Sequence, residues 1–201
     1  MIKGTDYVTA GKKSGTTLGE KATAEGSNTV ASDSYAHAEG SSTTASNISA
    51  HAEGANTVAS GGYSHAEGRS TTASRMYSHA EGYQTLASGT ASHAEGYSTT
   101  ASGRYSHAEG YYTQAGRQSQ HVFGEYNISD LSGGVDSRGA YVEIVGNGTS
   151  TTRSNARTLD WSGNEILAGK LTVGTGPSAN MDVTTKQYVD GAIVTAIGNV
   201  N

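Results

Sequence analysis

The sequence predicts an all-β fold, a narrow parallel β-solenoid, and three observations predict it. All seven histidines, His37, His51, His65, His79, His93, His107 and His121, lie 14 residues apart. Glycine follows each of them three residues later, and alanine recurs every seven residues from Ala24 to Ala115. A fixed short period marks a repeat architecture, in which each unit buries its inner face only by stacking on the next.

Composition rules out the more common solutions. Of 201 residues only 26 are Leu, Ile, Val or Phe, below the roughly 20% at which an ordinary core becomes untenable and disorder is the default expectation. Disorder has no use for register, however, and the strict columns argue against it. Order must therefore come from repetition. The chain has no Cys, so thiol and disulfide chemistry are excluded. Its 13 Lys and Arg are scattered and outnumbered by 18 Asp and Glu, which argues against nucleic acid as a partner. No apolar run approaches the roughly 18 residues a membrane helix needs, so membrane insertion is not expected. The opening "MIKGTDYVTAGKKSG" lacks the apolar stretch of a secretory signal.

Residues 1–22 read as an atypical first coil, the cap a solenoid requires: Ala10 and Thr17 keep the half-period, while the His and Glu positions are lost. Residues 23–126 form the roll. Gly26, Gly40, Gly54, Gly68, Gly82, Gly96, Gly110 and Gly124 form an unbroken column, which points to a corner with positive φ. Seven residues on, Asp33, Asn47, Gly61, Arg75, Gly89, Gly103 and Arg117 mark a second corner, expected to be left-handed. Fourteen alanines in step describe a lumen with room for little more than methyl groups, and a threonine column from Thr29 to Thr113 is read as structural. Two short segments and two corners make one coil; coils about 4.8 Å apart stack into a rod near 35 Å long. A helical reading fails, because each interior glycine would cost on the order of 1 kcal/mol.

Residues 127–139 are turn-rich and read as a linker. In 140–176, a small β-rich segment, "AYVEIVGNG" reads as a strand into a turn, and two short strands meet at Gly163 and Asn164. Trp161 reads as a packing anchor. "HVFG" at 121–124 is expected to place a bulky apolar cap over the lumen. In 177–201, Thr184 and Gln187 offer a capping box, and Val189, Ile193, Ala196 and Val200 a short coiled-coil seam, so a carboxy-terminal helix is expected.

His and Glu two apart on a strand leave the same face, while the Ala between them points the other way. With Ala inside, both face outward. Stacked glutamates about 4.8 Å apart repel by about 1 kcal/mol even at the dielectric of water. A neighbouring imidazole column supplies donors and optional charge. If the glutamates raise the histidine pKa values, the assembly should lose part of its ladder stabilisation as pH rises through those raised values. Catalysis is disfavoured, since a catalytic constellation is needed once and not eight times. A divalent metal on the His-x-Glu pairs is disfavoured because the spacings of closed sites are missing. No catalytic residue, metal or cofactor is assigned. Tyr35, Tyr63, Tyr77 and Tyr105 stand two residues before a histidine; Tyr83, Tyr97 and Tyr111 follow the repeat glycine and offer a candidate sugar-binding strip.

"SHAEGxxTxASG" resembles the 14-residue repeat of YadA-type heads of trimeric autotransporter adhesins, and more closely the His-Ala-Glu-Gly variant in tail and fibre proteins of phages and prophages of Gram-positive bacteria. "VGNGTSTTRSNARTLDWSGNEILAGKLTVG", residues 145–174, is similar to segments that follow such repeats in phage tail proteins, and "DVTTKQYVD", residues 182–190, to an element near coiled-coil joints of phage fibres. The resemblance implies a left-handed β-roll in a homotrimer. In it His37 with Glu39, His51 with Glu53, His65 with Glu67, His79 with Glu81, His93 with Glu95 and His107 with Glu109 line the contact between three chains. It further implies a structural fibre or adhesin component of a virion, a tail fibre or baseplate appendage that contributes to host-surface attachment, located at the phage tail or capsid surface and assembled in the host cytoplasm. Its partners would be other virion proteins and a host cell-surface glycan. The alternatives are a capsid-decorating head fibre, a bacterial surface adhesin, and a polysaccharide-degrading tailspike, which would need a wider β-helix with a carboxylate-lined groove.

Overall fold

The computed structural model describes residues 9–130 and 134–169, with side chains from residue 13 onward. The expected helix in 177–201, with its capping box and seam, lies outside the described residues, as does "DVTTKQYVD". Among the described residues every regular element is a strand.

Successive coils pair in parallel with a constant 14-residue offset, His37 on His51, His51 on His65, and so on to His107 on His121. These segments form one wall. The opposite wall is built from two-residue strands such as Thr44–Ala45, Val58–Ala59 and Thr72–Ala73, again in register. The fold is therefore a parallel β-solenoid of about seven turns, with one fourteen-residue repeat in each coil.

Four columns of small side chains fill the lumen. Both alanine columns are inside, and every member from Ala24 to Ala115 is 0% exposed. The threonine column is buried too, as a structural role requires. A fourth column was not anticipated: Ala22, Ala36 and Ala50, continued by Ser64, Ser78, Ser92 and Ser106, directly before the histidines. The switch from Ala to Ser keeps the volume. Each serine hydroxyl donates to a carbonyl three residues back, as Ser64 to Gly61 at 2.6 Å and Ser106 to Gly103 at 2.7 Å, so the buried oxygen is satisfied. At about 0.8 kcal/mol per buried methyl-sized group, no single lumen residue dominates.

The corners correct one expectation. Gly40 has φ +109°, and a Cβ there would run into the carbonyl of Gly54 in the next coil, a relation repeated along the column. Two requirements, handedness and close approach, thus exclude any side chain. The second corner is displaced. Its left-handed residues are Tyr35, Ser49, Tyr63, Tyr77, Ala91, Tyr105 and Ser119 (φ 51° to 61°), two positions after the predicted set. A third left-handed position runs from Asn28 through Ser42, Asn56 and Ser70 to Tyr126. At the predicted positions Gly61, Gly89 and Gly103 serve close approach, since a Cβ would strike the next coil's backbone. Asp33 and Asn47 instead accept the following N–H at 2.7 and 2.9 Å, closing the turn locally.

Both ends depart from the repeat. In the first strand, Thr9–Lys12, it is Thr9 that pairs with Ala24, while Ala10 pairs with Glu25, so Ala10 does not keep the alanine register. At the other end Val122 fills the lumen, but Phe123 does not cover it; it stands in the glutamate column with its ring 5.2 Å from that of His121. The lid comes from later in the chain. Strand Tyr141–Asn147 stacks in parallel on His121–Glu125, placing Glu143 on His121, Ile144 on Val122 and Gly146 on Gly124. Ile144 is 0% exposed, so "EIVG" acts as a last, larger His-Ala-Glu-Gly. Asn127 completes the opposite wall: its side chain accepts from the Gln114 N–H at 2.8 Å and donates to the Gln114 carbonyl at 3.1 Å. Strands Asn155–Asp160 and Glu165–Leu167 then continue antiparallel. Trp161, 37% exposed, ties this hairpin to the preceding loop, donating its Nε1–H to the Arg138 carbonyl at 3.2 Å beneath the Arg138 guanidinium.

Candidate functional site

Because the lumen fixes the register, the histidines can only superimpose. Their rings form a continuous stack from His37 to His121, with centroids 4.7 to 4.9 Å apart and planes within 11° of parallel. The glutamates form a second column two residues on. The two columns are half-buried on the outer face of one wall; in the ion pairs, histidine side chains are 34 to 40% exposed and glutamates 32 to 44%.

Pairing between the columns is not uniform. His37, His51 and His65 each face the glutamate of their own coil, with Nε2 to Oε2 distances of 3.6, 3.7 and 4.0 Å to Glu39, Glu53 and Glu67. His93, His107 and His121 face the glutamate of the preceding coil, at 3.7 Å from Glu81, 3.0 Å from Glu95 and 3.5 Å from Glu109. The exchange falls at His79. Only the His107 to Glu95 contact is a hydrogen bond; Nε2 of His51, His65, His79, His93 and His121 is closed to solvent and has no hydrogen-bond partner. In a single chain the ladder leaves a row of buried polar atoms unsatisfied, an arrangement that costs free energy until a partner is supplied.

Within one chain, two histidines do not meet the condition for that pH dependence. The pKa values of His51 and His79 lie below the ordinary histidine value of 6.5. Burial is the largest cause and the adjacent histidines come next, His65 and His37 at His51, His93 and His65 at His79. Attraction to Glu53 and Glu39, or to Glu81 and Glu67, opposes the shift without reversing it. Stacked imidazoles penalise one another's protonation.

The tyrosine columns are aromatic ranks. Tyr83 stacks on Tyr97 at 4.8 Å, Tyr97 meets Tyr111 at 5.1 Å, and Tyr112 stacks on Tyr126 at 4.8 Å. Arg69 caps one end, over Tyr83, and Arg153 the other, over Tyr126. Tyr83 is sandwiched between Arg69 and Tyr97, whereas Tyr97 and Tyr111 remain 38% and 40% exposed. Burial, followed by neighbouring tyrosines, raises the Tyr97 hydroxyl pKa; burial and then a hydrogen bond with Tyr111 raises that of Tyr126. Sequence reasoning missed Tyr112 and Tyr126, because the left-handed corner that turns them toward the rank was not foreseen. Tyr63 and Tyr77 stack at 5.5 Å, whereas Tyr35 and Tyr105, each about half exposed, have Lys21 and Arg104 over one ring face.

No family model matches the chain, and no curated protein matches it. Among the described residues no helix is long and apolar enough to cross a membrane.

Proposed function

We propose that this protein is a structural fibre component of a phage or prophage virion, in which three chains are joined side by side through their histidine–glutamate ladders. The observation that carries the reading is the row of Nε2 atoms that a single chain leaves buried and unpartnered. A turn of these partly exposed rings would bring the nitrogens to a neighbouring chain whose carboxylates and imidazoles could satisfy them, and the resemblance of the repeat and of residues 145–174 supplies the biological setting. The mechanism is mechanical. A solenoid whose coils are locked by backbone ladders and a methyl-packed lumen resists bending and proteolysis, and three together make a stiff spacer that carries a host-contacting surface away from the particle. On this reading no residue has a catalytic role.

The test is the mass in solution together with the location on the particle. Sedimentation equilibrium should return three times the chain mass of 20.5 kDa, and immunogold labelling should decorate appendages of intact virions. A monomer at micromolar concentration, or particles that remain unlabelled, would overturn the proposal. Labels on the capsid rather than the tail would select the head-fibre alternative.

A further inference from the structure

The ladder does more than present a contact surface: it brings imidazoles and carboxylates of adjacent coils together in groups. His51, Glu53 and His65 form one such group, His79, Glu81 and His93 a second, and His93, Glu95 and His107 a third; within each, the ligand atoms lie within 4.8 Å of one another. We infer that these windows bind borderline divalent cations, zinc above all, through two imidazole nitrogens and one carboxylate oxygen each, with the fourth position left to water.

Three features carry the inference. The first is the donor set. Two neutral imidazoles and a carboxylate, with one coordination position open, are a ligand set that zinc accepts in tetrahedral geometry. The second is spacing. A tetrahedral zinc with bonds near 2.1 Å wants its ligands roughly 3.4 Å apart. His51 Nε2 already lies 3.7 Å from Glu53, His93 3.7 Å from Glu81, and His107 3.0 Å from Glu95. Only the second imidazole of each window must tilt inward, and side chains about a third exposed have room to do so. The third is need: Nε2 of His51, His65, His79 and His93 has neither solvent nor a hydrogen-bond partner, and a small outward turn of these partly exposed rings would give each lone pair a cation. The sequence disfavoured a metal because no closed-site spacing occurs along the chain. The solenoid supplies the spacing across coils, where His-x-Glu on one turn meets His on the next.

Geometry also fixes the count. The second and third windows share His93, so they cannot both be filled, whereas the first shares nothing with either. The wild-type chain should therefore bind two zinc ions.

The experiment is calorimetric titration of Zn2+ alone into tag-free protein, with sedimentation velocity run in zinc and in chelator. Wild type and His37→Gln, which lies outside every window, should take up two ions per chain. His65→Gln and His93→Gln should each take up one, and the double variant none, while the circular dichroism spectrum of all variants stays that of wild type. Wild type without measurable uptake at millimolar zinc, or a double variant that binds as wild type does, would overturn the inference. Should the variants misfold, Glu53→Gln with Glu81→Gln and Glu95→Gln provides a second route, since loss of the carboxylates must weaken uptake at least tenfold at unchanged column geometry. The inference does not rest on trimerisation, as each window is complete within one chain. A trimer without zinc sinks it alone, and a monomer holding two zinc ions sinks the trimer alone.

Discussion

The coils before His79 and those after it carry the same His-Ala-Glu-Gly motif as far as His107, yet their surfaces are paired differently. In the first set each histidine meets its own glutamate; in the second it meets the glutamate of the coil below. The residue after the repeat glycine changes too, from Ser41, Ala55 and Arg69 to Tyr83, Tyr97 and Tyr111, and the His-bearing strands shorten from five residues to two until the last, His121–Glu125, which again has five. The backbone register does not change at all. What this teaches is a division of labour. Lumen and corner glycines dictate the winding, and the charged ladder adjusts on top of it with little power to alter it.

If so, the largest mutational effects must be equal in both halves. Gly54 and Gly96 have φ of +105° and +101°, and in each a Cβ would strike the carbonyl of the next repeat glycine. Gly54→Ala and Gly96→Ala should each destabilise by about 3 kcal/mol or more, combining backbone strain with overpacking. Chemical denaturation of the two variants checks this. A cost in one half that is several times that in the other would mean that the surface helps to set the winding after all.

The threonine column offers a finer probe. The hydroxyls of Thr57 and Thr99 are buried without a partner, whereas that of Thr113, beneath the lid, donates to the Glu109 carbonyl at 3.0 Å. Thr57→Val and Thr99→Val should therefore stabilise by about 1 kcal/mol, because an isosteric methyl removes an unsatisfied polar atom. Thr113→Val should destabilise by about the same amount. Equal effects at all three positions, read from denaturant midpoints, would show that the hydroxyls find partners in solution.

How much of this was legible follows the same division. The alanine and glycine columns could be read because steric exclusion admits one residue type and repeats it without error. The serine column before the histidines escaped notice because a lumen that selects for volume tolerates Ala36 and Ser78 alike, and the pattern changes polarity midway. The left-handed corners were misplaced by two residues because Tyr63, Ala91 and Lys21 carry no turn signature; stacking forces them into that conformation, against their local preference. The capping coil was hidden by an insertion, since 22 residues rather than 14 separate His121 from Glu143. The pairing switch at His79 has no sequence signal in the motif itself, because both geometries use the same residues.

Glutamate removal sharpens the comparison at its weakest point. Glu95→Gln removes a carboxylate hydrogen-bonded to His107 at 3.0 Å, whereas Glu53→Gln removes one standing 3.7 Å from His51. With side chains about a third exposed, screening keeps both effects at a few tenths of a kcal/mol, the first larger than the second. Differential scanning calorimetry of the pair at low salt, with each half's nearest glutamine variant as control, should order them so. The reverse order would mean that the own-coil pairing is the tighter one.

The smallest effect carries a sign that separates burial from charge pairing. His51 in the first half and His79 at the junction both have lowered pKa values, with burial the leading cause in each. Just below pH 6.5 the unfolded chain therefore binds more protons at these positions than the folded one, so stability rises with pH through that window and is lost as pH falls through it. Melting temperature should decline on acidification from pH 7.5 to 5.5, and His51→Gln with His79→Gln should flatten the decline. Glu53→Gln should lower the His51 pKa further, by more than Glu39→Gln does, since Glu53 is the stronger of the two opposing charges. A melt that improves in acid would mean that the glutamates win and that imidazolium–carboxylate pairs hold the columns. The ladder would then be an electrostatic clamp instead of a neutral stack whose buried nitrogens wait for a partner.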